Sequence, residues 1–155
     1  CSKVNKKKLH IKSKGSNSSM AAHALKGAIP SMKPLGKYLG MDTFSWHNPD
    51  LELLEKTIAS FPFDLLWVGN KNEIEGFLSK HHGAETKINT CIVYGAHSDN
   101  CSNKIISAST IQEALNHLDH IIFKPGILLF TASDSDSEFS MRFFEKHISK
   151  TYLNQ

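Results

Sequence analysis

The chain has 155 residues, 40% hydrophobic and 21% charged, which suits one compact domain, or one domain with a tail, and excludes wholesale disorder or a low-complexity chain. No apolar run approaches the ~18 residues of a membrane-spanning helix, which argues against an integral membrane protein of that kind. The formal charge of +3 conceals a split: residues 1–41 carry nine lysines and no acid, whereas residues 42–155 carry nine Lys or Arg against fifteen Asp or Glu, the first carboxylate being Asp42.

A basic arm therefore precedes a mildly acidic body. Residues 1–18 are rich in Lys, Ser and Asn and cannot bury enough surface to offset their ordering entropy, so a mobile arm is expected, with at most a short strand at Leu9–Ile11. Residues 19–29 suit a short helix stopped by Pro30. Pro30, Pro34, Gly36 and Gly40 then punctuate a stretch that reads as linker. The division expected is a basic arm and linker over 1–39 and an α/β domain over 40–155.

From residue 40 the chain alternates between strand and helix. Met41–Trp46 reads as a strand, Pro49 as a helix start, and Leu51, Leu53, Leu54, Ile58 and Phe61 as one helical face. Phe63–Gly69 is a buried strand; Asn72 is a helix cap, with Ile74, Phe77 and Leu78 following. Ile88–Gly95 and Lys104–Ala108 are further strands. Thr110 and Glu113 form a capping-box pattern ahead of Ala114, Leu115 and Leu118. Pro125-Gly126 turns into the strand Ile127–Ala132, and Phe139, Phe143, Phe144, His147 and Ile148 mark a terminal helix. This alternation predicts a Rossmann-like three-layer α/β sandwich with a mostly parallel sheet of about five to six strands. Sites in such folds form at the carboxyl ends of the strands, here after Trp46, Gly69, Gly95 and Ala132.

Cys1, Cys91 and Cys101 cannot pair completely and none lies in a Cys-x-x-Cys spacing, so neither a disulfide framework nor a zinc finger is expected. Cys91 reads as a small core residue, and a reducing, cytoplasmic setting is the simplest reading. Without an initiator Met the chain reads as a fragment or a processed product; Cys1-Ser2 also fits a lipid-anchored terminus after signal removal.

The chain lacks a Gly-x-x-x-x-Gly-Lys-Ser/Thr loop, a Gly-x-Gly-x-x-Gly turn, a Gly-x-Ser-x-Gly elbow and a His-Glu-x-x-His pair. Four constellations remain. Trp46-His47-Asn48-Pro49-Asp50 joins a strand to a helix, with polar groups able to cap or to bind. His97-Ser98-Asp99 follows a buried strand in the manner of zinc hydrolases, which opens a metal-dependent hydrolase as one alternative. Thr131-Ala132-Ser133-Asp134-Ser135-Asp136-Ser137-Glu138 sets hydroxyls before a helix start, suited to a carboxylate or phosphate, while its acids suit an amine. Six lysines in the first fourteen residues could meet phosphates, but no aromatic is interleaved, so a nucleic-acid partner is not expected.

These loops, taken in order, resemble the C-terminal domain of the muramyl ligase family, the ATP-dependent amide ligases of peptidoglycan synthesis, and their folylpolyglutamate synthetase relatives. His47-Asn48-Pro49-Asp50, with Asp42 upstream, is similar to the Asp-x-x-His-Asn-Pro motif that opens that domain. Leu128 to Phe139 lies without gaps on the Leu-Leu-Ser-Pro-Ala-Cys-Ala-Ser-x-Asp-x-Phe stretch of the D-glutamate-adding branch, matching at Leu128, Leu129, Ala132, Ser135 and Phe139. Thr110 to Leu118 resembles the family's Thr-x-Glu-Glu-Ala helix.

The resemblance implies a substrate-binding domain that closes over an upstream ATPase domain of the same chain. Ser135, with Ser133, Thr131 and Phe139, would meet the incoming amino acid; Asp42, His47, Asn48 and Lys71 would face the nucleotide. ATP and Mg would belong to the parent chain, and this segment alone holds no cofactor and performs no catalysis. Several positions depart from the family. Ser45 falls where the D-glutamate branch has lysine, Pro30-Ser31-Met32 where an upstream Pro-His-Arg is expected, and Gly69-Asn70-Lys71-Asn72 where Gly-Gly-x-Asp-Lys is expected, with only Lys71 as a stand-in. Loss of these phosphate-handling groups opens a second alternative, a non-catalytic Rossmann-like module that binds a protein partner.

Overall fold

The computed structural model describes residues 20–60, 64–80, 88–95, 104–122, 124–133 and 137–153. Its elements run α1 (residues 20–28), β1 (Lys33–Tyr38), β2 (Met41–His47), α2 (Leu51–Ser60), β3 (Leu65–Asn70), α3 (Lys71–Lys80), β4 (Ile88–Tyr94), β5 (Ile105–Ser107), α4 (Ile111–Asp119), β6 (Ile127–Ala132) and α5 (Ser137–Leu153). The strands form one six-stranded sheet in the order β1-β2-β6-β3-β4-β5. All neighbouring pairs are parallel except β1 with β2. The result is the mostly parallel, helix-covered α/β sandwich that the alternation predicts.

Period-two alternation sorts the strand side chains onto two faces. On one, Phe44, Trp46, Leu65, Trp67, Cys91, Val93, Ile127 and Leu129 pack with Leu25 and Ile29 of the α1 segment, Leu54 and Ile58 of α2, and Ile74 and Phe77 of α3. On the other, Met41, Leu66, Val68, Ile92, Leu128 and Phe130 pack with Leu115 and Leu118 of α4 and Phe144 and Ile148 of α5. β6 is buried at every position, as a strand with parallel neighbours on both edges and helices over both faces must be. Phe130 stacks on Phe144 at 4.4 Å between ring centroids, and Trp67 meets Phe77 edge-on at 5.1 Å.

Two elements differ from expectation. Residues 33–38, punctuated as linker, form β1, so the sheet begins at Lys33 and not near Asp42. Pro34 and Gly36 do not prevent this because β1 is an edge strand, where proline's missing N–H is tolerated. The pairing with β2 also shifts register between these two residues, a bulge at which Gly36 takes φ +91°. The short helix before Pro30 is present as α1, and it belongs to the core through Leu25. Residues 1–19, with the basic arm and the Leu9–Ile11 strand, lie outside the described residues.

The second difference is at α3. Asn72 is not its cap: Asn70 Oδ1 accepts the Asn72 N–H at 2.9 Å, so the strand's last residue caps the helix that follows directly. At α4 the expected cap is present, with Thr110 Oγ1 accepting from Glu113 N at 3.2 Å. The reciprocal bond runs from Ser109 N, not Thr110 N, to Glu113 Oε1 at 3.0 Å.

At the opposite end of the sheet from the strand carboxyl termini, Tyr38, Asp119 and His147 converge. The Tyr38 hydroxyl donates to Asp119 Oδ1, and His147 Nε2 lies 3.1 Å from both the carboxylate and the phenol. This cluster ties β1, α4 and α5 together.

Two measurements check this packing. Phe144→Ala removes a fully buried ring stacked on Phe130 and is expected to destabilise the fold by about 3–5 kcal/mol in chemical denaturation. The Ser109 N–H, then the Ser109 hydroxyl, and more weakly the nearby His117, hold the Glu113 carboxyl below its ordinary 4.5. A depressed carboxyl contributes stability above its unfolded value and loses it as pH falls through the folded one. The NMR titration midpoint of Glu113 is therefore expected below 4.5, and Ser109→Ala should raise it part of the way, because the backbone donor remains.

Candidate functional site

Parallel strands end on one side of the sheet, so the carboxyl ends of β2, β3, β4 and β6 share an edge. The helix following β2 covers one face and the helix following the adjacent β6 covers the other, which makes this a topological switch point, the usual place for a crevice in open α/β sheets. Trp46 pairs with Thr131 and His47 with Ala132 in the β2–β6 register. Beyond the register, Asn48 N donates to Ala132 O at 2.8 Å, and Asn48 turns the chain with φ +50°, a left-handed conformation that asparagine tolerates better than most residues. Asn48 Nδ2 lies 3.1 Å from His47 Nε2. Asp50 then caps α2, its Oδ1 accepting Leu53 N at 3.2 Å.

One strand further on, a hydrogen-bonded frame crosses from β3 to β6. Trp67 Nε1 donates to Thr131 Oγ1 at 2.9 Å. Thr131 donates its one hydroxyl proton to Glu73 Oε1 at 3.3 Å, and Ser133 donates to Glu73 Oε2. Gly69 makes the close approach feasible: a Cβ there would lie 2.9 Å from Thr131 Oγ1 and 3.3 Å from Thr131 O. Glu73 carries no motif, and its only sequence signal is a place in the first turn of the helix after a buried strand, where an acid is favoured by the helix dipole in any case.

The residues singled out in the sequence separate into groups. His47 and Asn48 stand together at the carboxyl end of β2, beside Thr131 and Ser133 at the end of β6. Thr131 is fully buried, with its donor and its acceptor roles both used within the protein. Lys71 sits at the start of α3, two strands from His47, with Nζ 4.0 Å from Glu75 Oε1. Asp42 is not with them: it lies near the amino end of β2, 3.3 Å from Lys37 Nζ. Phe139 is 63% exposed on α5 and tilts against Phe143. Ser135, Asp134, Asp136, His97 and Asp99 lie outside the described residues. Among the described residues no group of three or more His, Cys, Asp or Glu could hold a metal ion, and no helix is long and apolar enough to cross a membrane.

An open groove of about 520 Å³ runs beside this edge between the β1–β2 hairpin and α5. His47 lines it together with Lys33, Ser45, Arg142 and Glu145. Its charges are internally matched: Lys33 Nζ lies 3.3 Å from Glu145 Oε1, Ser45 Oγ donates to Glu145 Oε2 at 3.2 Å, and Arg142 pairs with Glu138 at 2.7 Å.

No protein-family model matches the chain, and no curated protein matches it. Among solved structures it is similar to the MurF ligase from Thermotoga maritima in complex with ADP, at 20% identity and a TM-score of 0.47, over 74% of this chain and 30% of that one. The chain thus spans under a third of that ligase's length.

The Trp67–Thr131–Glu73 frame predicts a sharp response at two positions. Thr131→Val leaves the buried Trp67 N–H without its acceptor and is expected to cost about 1–3 kcal/mol. Gly69→Ala forces Thr131 off Glu73 and should cost a similar amount, about 1–3 kcal/mol by overpacking. Urea denaturation of each variant beside the parent sequence measures both.

Proposed function

We propose that this chain is the amino-acid-substrate-binding domain of a divergent ATP-dependent acid–amino-acid ligase of the muramyl type, the C-terminal domain of a longer protein that works in the cytoplasm. One observation carries the reading. The two segments that hold the resemblance, His47–Asp50 and Leu128–Phe139, are far apart in the sequence, yet the Asn48 N–H to Ala132 C=O bond joins them at the carboxyl ends of the neighbouring strands β2 and β6. The carboxyl ends of two neighbouring parallel strands at a switch point are where α/β folds bind ligands. On this reading His47 and Asn48 face the nucleotide side, Ser133 and Ser135 the amino acid, and ATP with Mg is held by an upstream ATPase domain. Forming an amide from ATP requires a phosphate cradle and a metal ion, neither of which this chain's motifs supply.

A second reading is favoured by two positions. Ser45 and Met32 stand where the resemblance implies phosphate-handling lysine and arginine, and they are 2% and 1% exposed, Ser45 being bonded to Glu145 and Met32 packed in the core. A Rossmann-like module that has lost its nucleotide contacts and serves a protein partner fits that pair of substitutions.

Isothermal titration of the parent protein with acidic amino acids and an ATP analogue, together with an assay for ADP release, separates the two. A ligase is expected to bind both ligands and to release ADP only when an acyl acceptor and an amino acid are present together. A parent without a phosphate-binding loop, or without either binding event, overturns the ligase reading and leaves the interaction module.

A further inference from the structure

We propose that Tyr38, Asp119 and His147, at the amino end of the sheet, form a binding site for a first-row transition-metal cation of the zinc class. The site is independent of the ligase reading and lies at the opposite end of the sheet from the loops that carry it. Its three side chains come from three elements, β1, α4 and α5. Their polar atoms converge. His147 Nε2 lies 3.1 Å from the Tyr38 hydroxyl and 3.1 Å from each Asp119 oxygen, and the Tyr38 hydroxyl donates to Asp119 Oδ1. Tyr38 is buried, whereas the side chains of His147 and Asp119 are 21% and 35% exposed. A metal ion can therefore reach the cluster from solvent, and water can fill its remaining positions.

Two features separate this set from an ordinary hydrogen-bonded tie. One imidazole N–H faces three oxygens at the same distance and cannot align with all of them. A cation at their shared vertex meets imidazole, phenolate and carboxylate together. Zinc–nitrogen and zinc–oxygen bonds of ~2.0–2.2 Å, set at right angles, place neighbouring ligand atoms about 3 Å apart, which is the spacing around Nε2. Asp119 is also the last residue of α4, where the negative end of the helix dipole opposes a carboxylate and favours a cation. The imidazole selects for Zn, Cu, Fe or Ni over Mg or Ca, which take oxygen ligands alone. Among the described residues no further His, Cys, Asp or Glu completes the set, so the phenol is the third ligand. Its coordination breaks the O–H bond, forms a metal–oxygen bond and releases the proton to water. A metal held here pins the edge strand β1 to α4 and α5 and stabilises the fold by mass action.

The test titrates the full chain, labelled with nitrogen-15, with zinc chloride and, as control, magnesium chloride. Free phenols ionise at about pH 10, so a phenolate band in the ultraviolet difference spectrum at about pH 7 reports a tyrosine bound to metal. Zinc is expected to raise this band to saturation at one equivalent, to shift the His147 Nε2 resonance in step with it, and to raise the urea midpoint. Magnesium is expected to do none of these. Zinc held by other histidines gives no phenolate band. Tyr38→Phe, which keeps the ring, should remove the band. His147→Gln, checked for folding by circular dichroism, should weaken the zinc affinity read from the band by on the order of tenfold or more. The titration of the unmodified chain needs no variant to fold. Zinc binding without the band marks an adventitious ion only and overturns the proposal. So does a band that survives in Tyr38→Phe, or an equal response to magnesium.

Discussion

The last strand of the chain is the third of its sheet. β6 lies between β2 and β3, so it closes two parallel ladders at once, and every one of its six residues is buried. Neither β2 nor β3 has its inner neighbour until the chain has passed through β4, β5 and α4. Such long-range pairing requires loop-closure entropy to be met before contacts are gained, which marks folds of this kind as slow to assemble. The same insertion makes the candidate edge. By pairing with β2, β6 brings Ala132 and Ser133 to Asn48; by pairing with β3, it brings Thr131 to Trp67 and Glu73.

Much of the fold was legible in the chain because parallel strands are buried on both faces and read as short apolar runs. Ile127–Ala132 and Ile88–Tyr94 are such runs, and the helices between them carry apolar residues at helical spacing. β1 was not legible, for a physical reason: an edge strand half exposed to solvent needs no apolar run, and Pro34 and Gly36 mark turns as readily as they mark a bulged edge. The cap of α3 was misplaced by two residues because β3 passes into the helix with no loop, so that Asn70 serves as strand end and cap together.

The candidate site was legible in part. His47, Asn48 and Ser133 stood out as polar residues at strand ends, and the edge brings them together. Asp42 was drawn in by a linear motif, but a strand carries its two ends far apart, and Asp42 lies toward the wrong one to join His47. Glu73 was not legible. Its role depends on two hydroxyls from a strand that only the tertiary fold places beside it, and an acid in a helix's first turn is too common to signal anything. Local motifs record what a loop contains; they do not record which loop faces it.

The edges of the sheet have a consequence for self-association. β5 offers only three residues of ladder. β1 offers six, but Pro34 lacks a donor and the bulge at Gly36 breaks the repeat. A second copy approaching this edge meets a missing bond and then a misregister. The irregularities that hid β1 in the sequence are thus the ones that make its edge a poor template for a strand from another molecule.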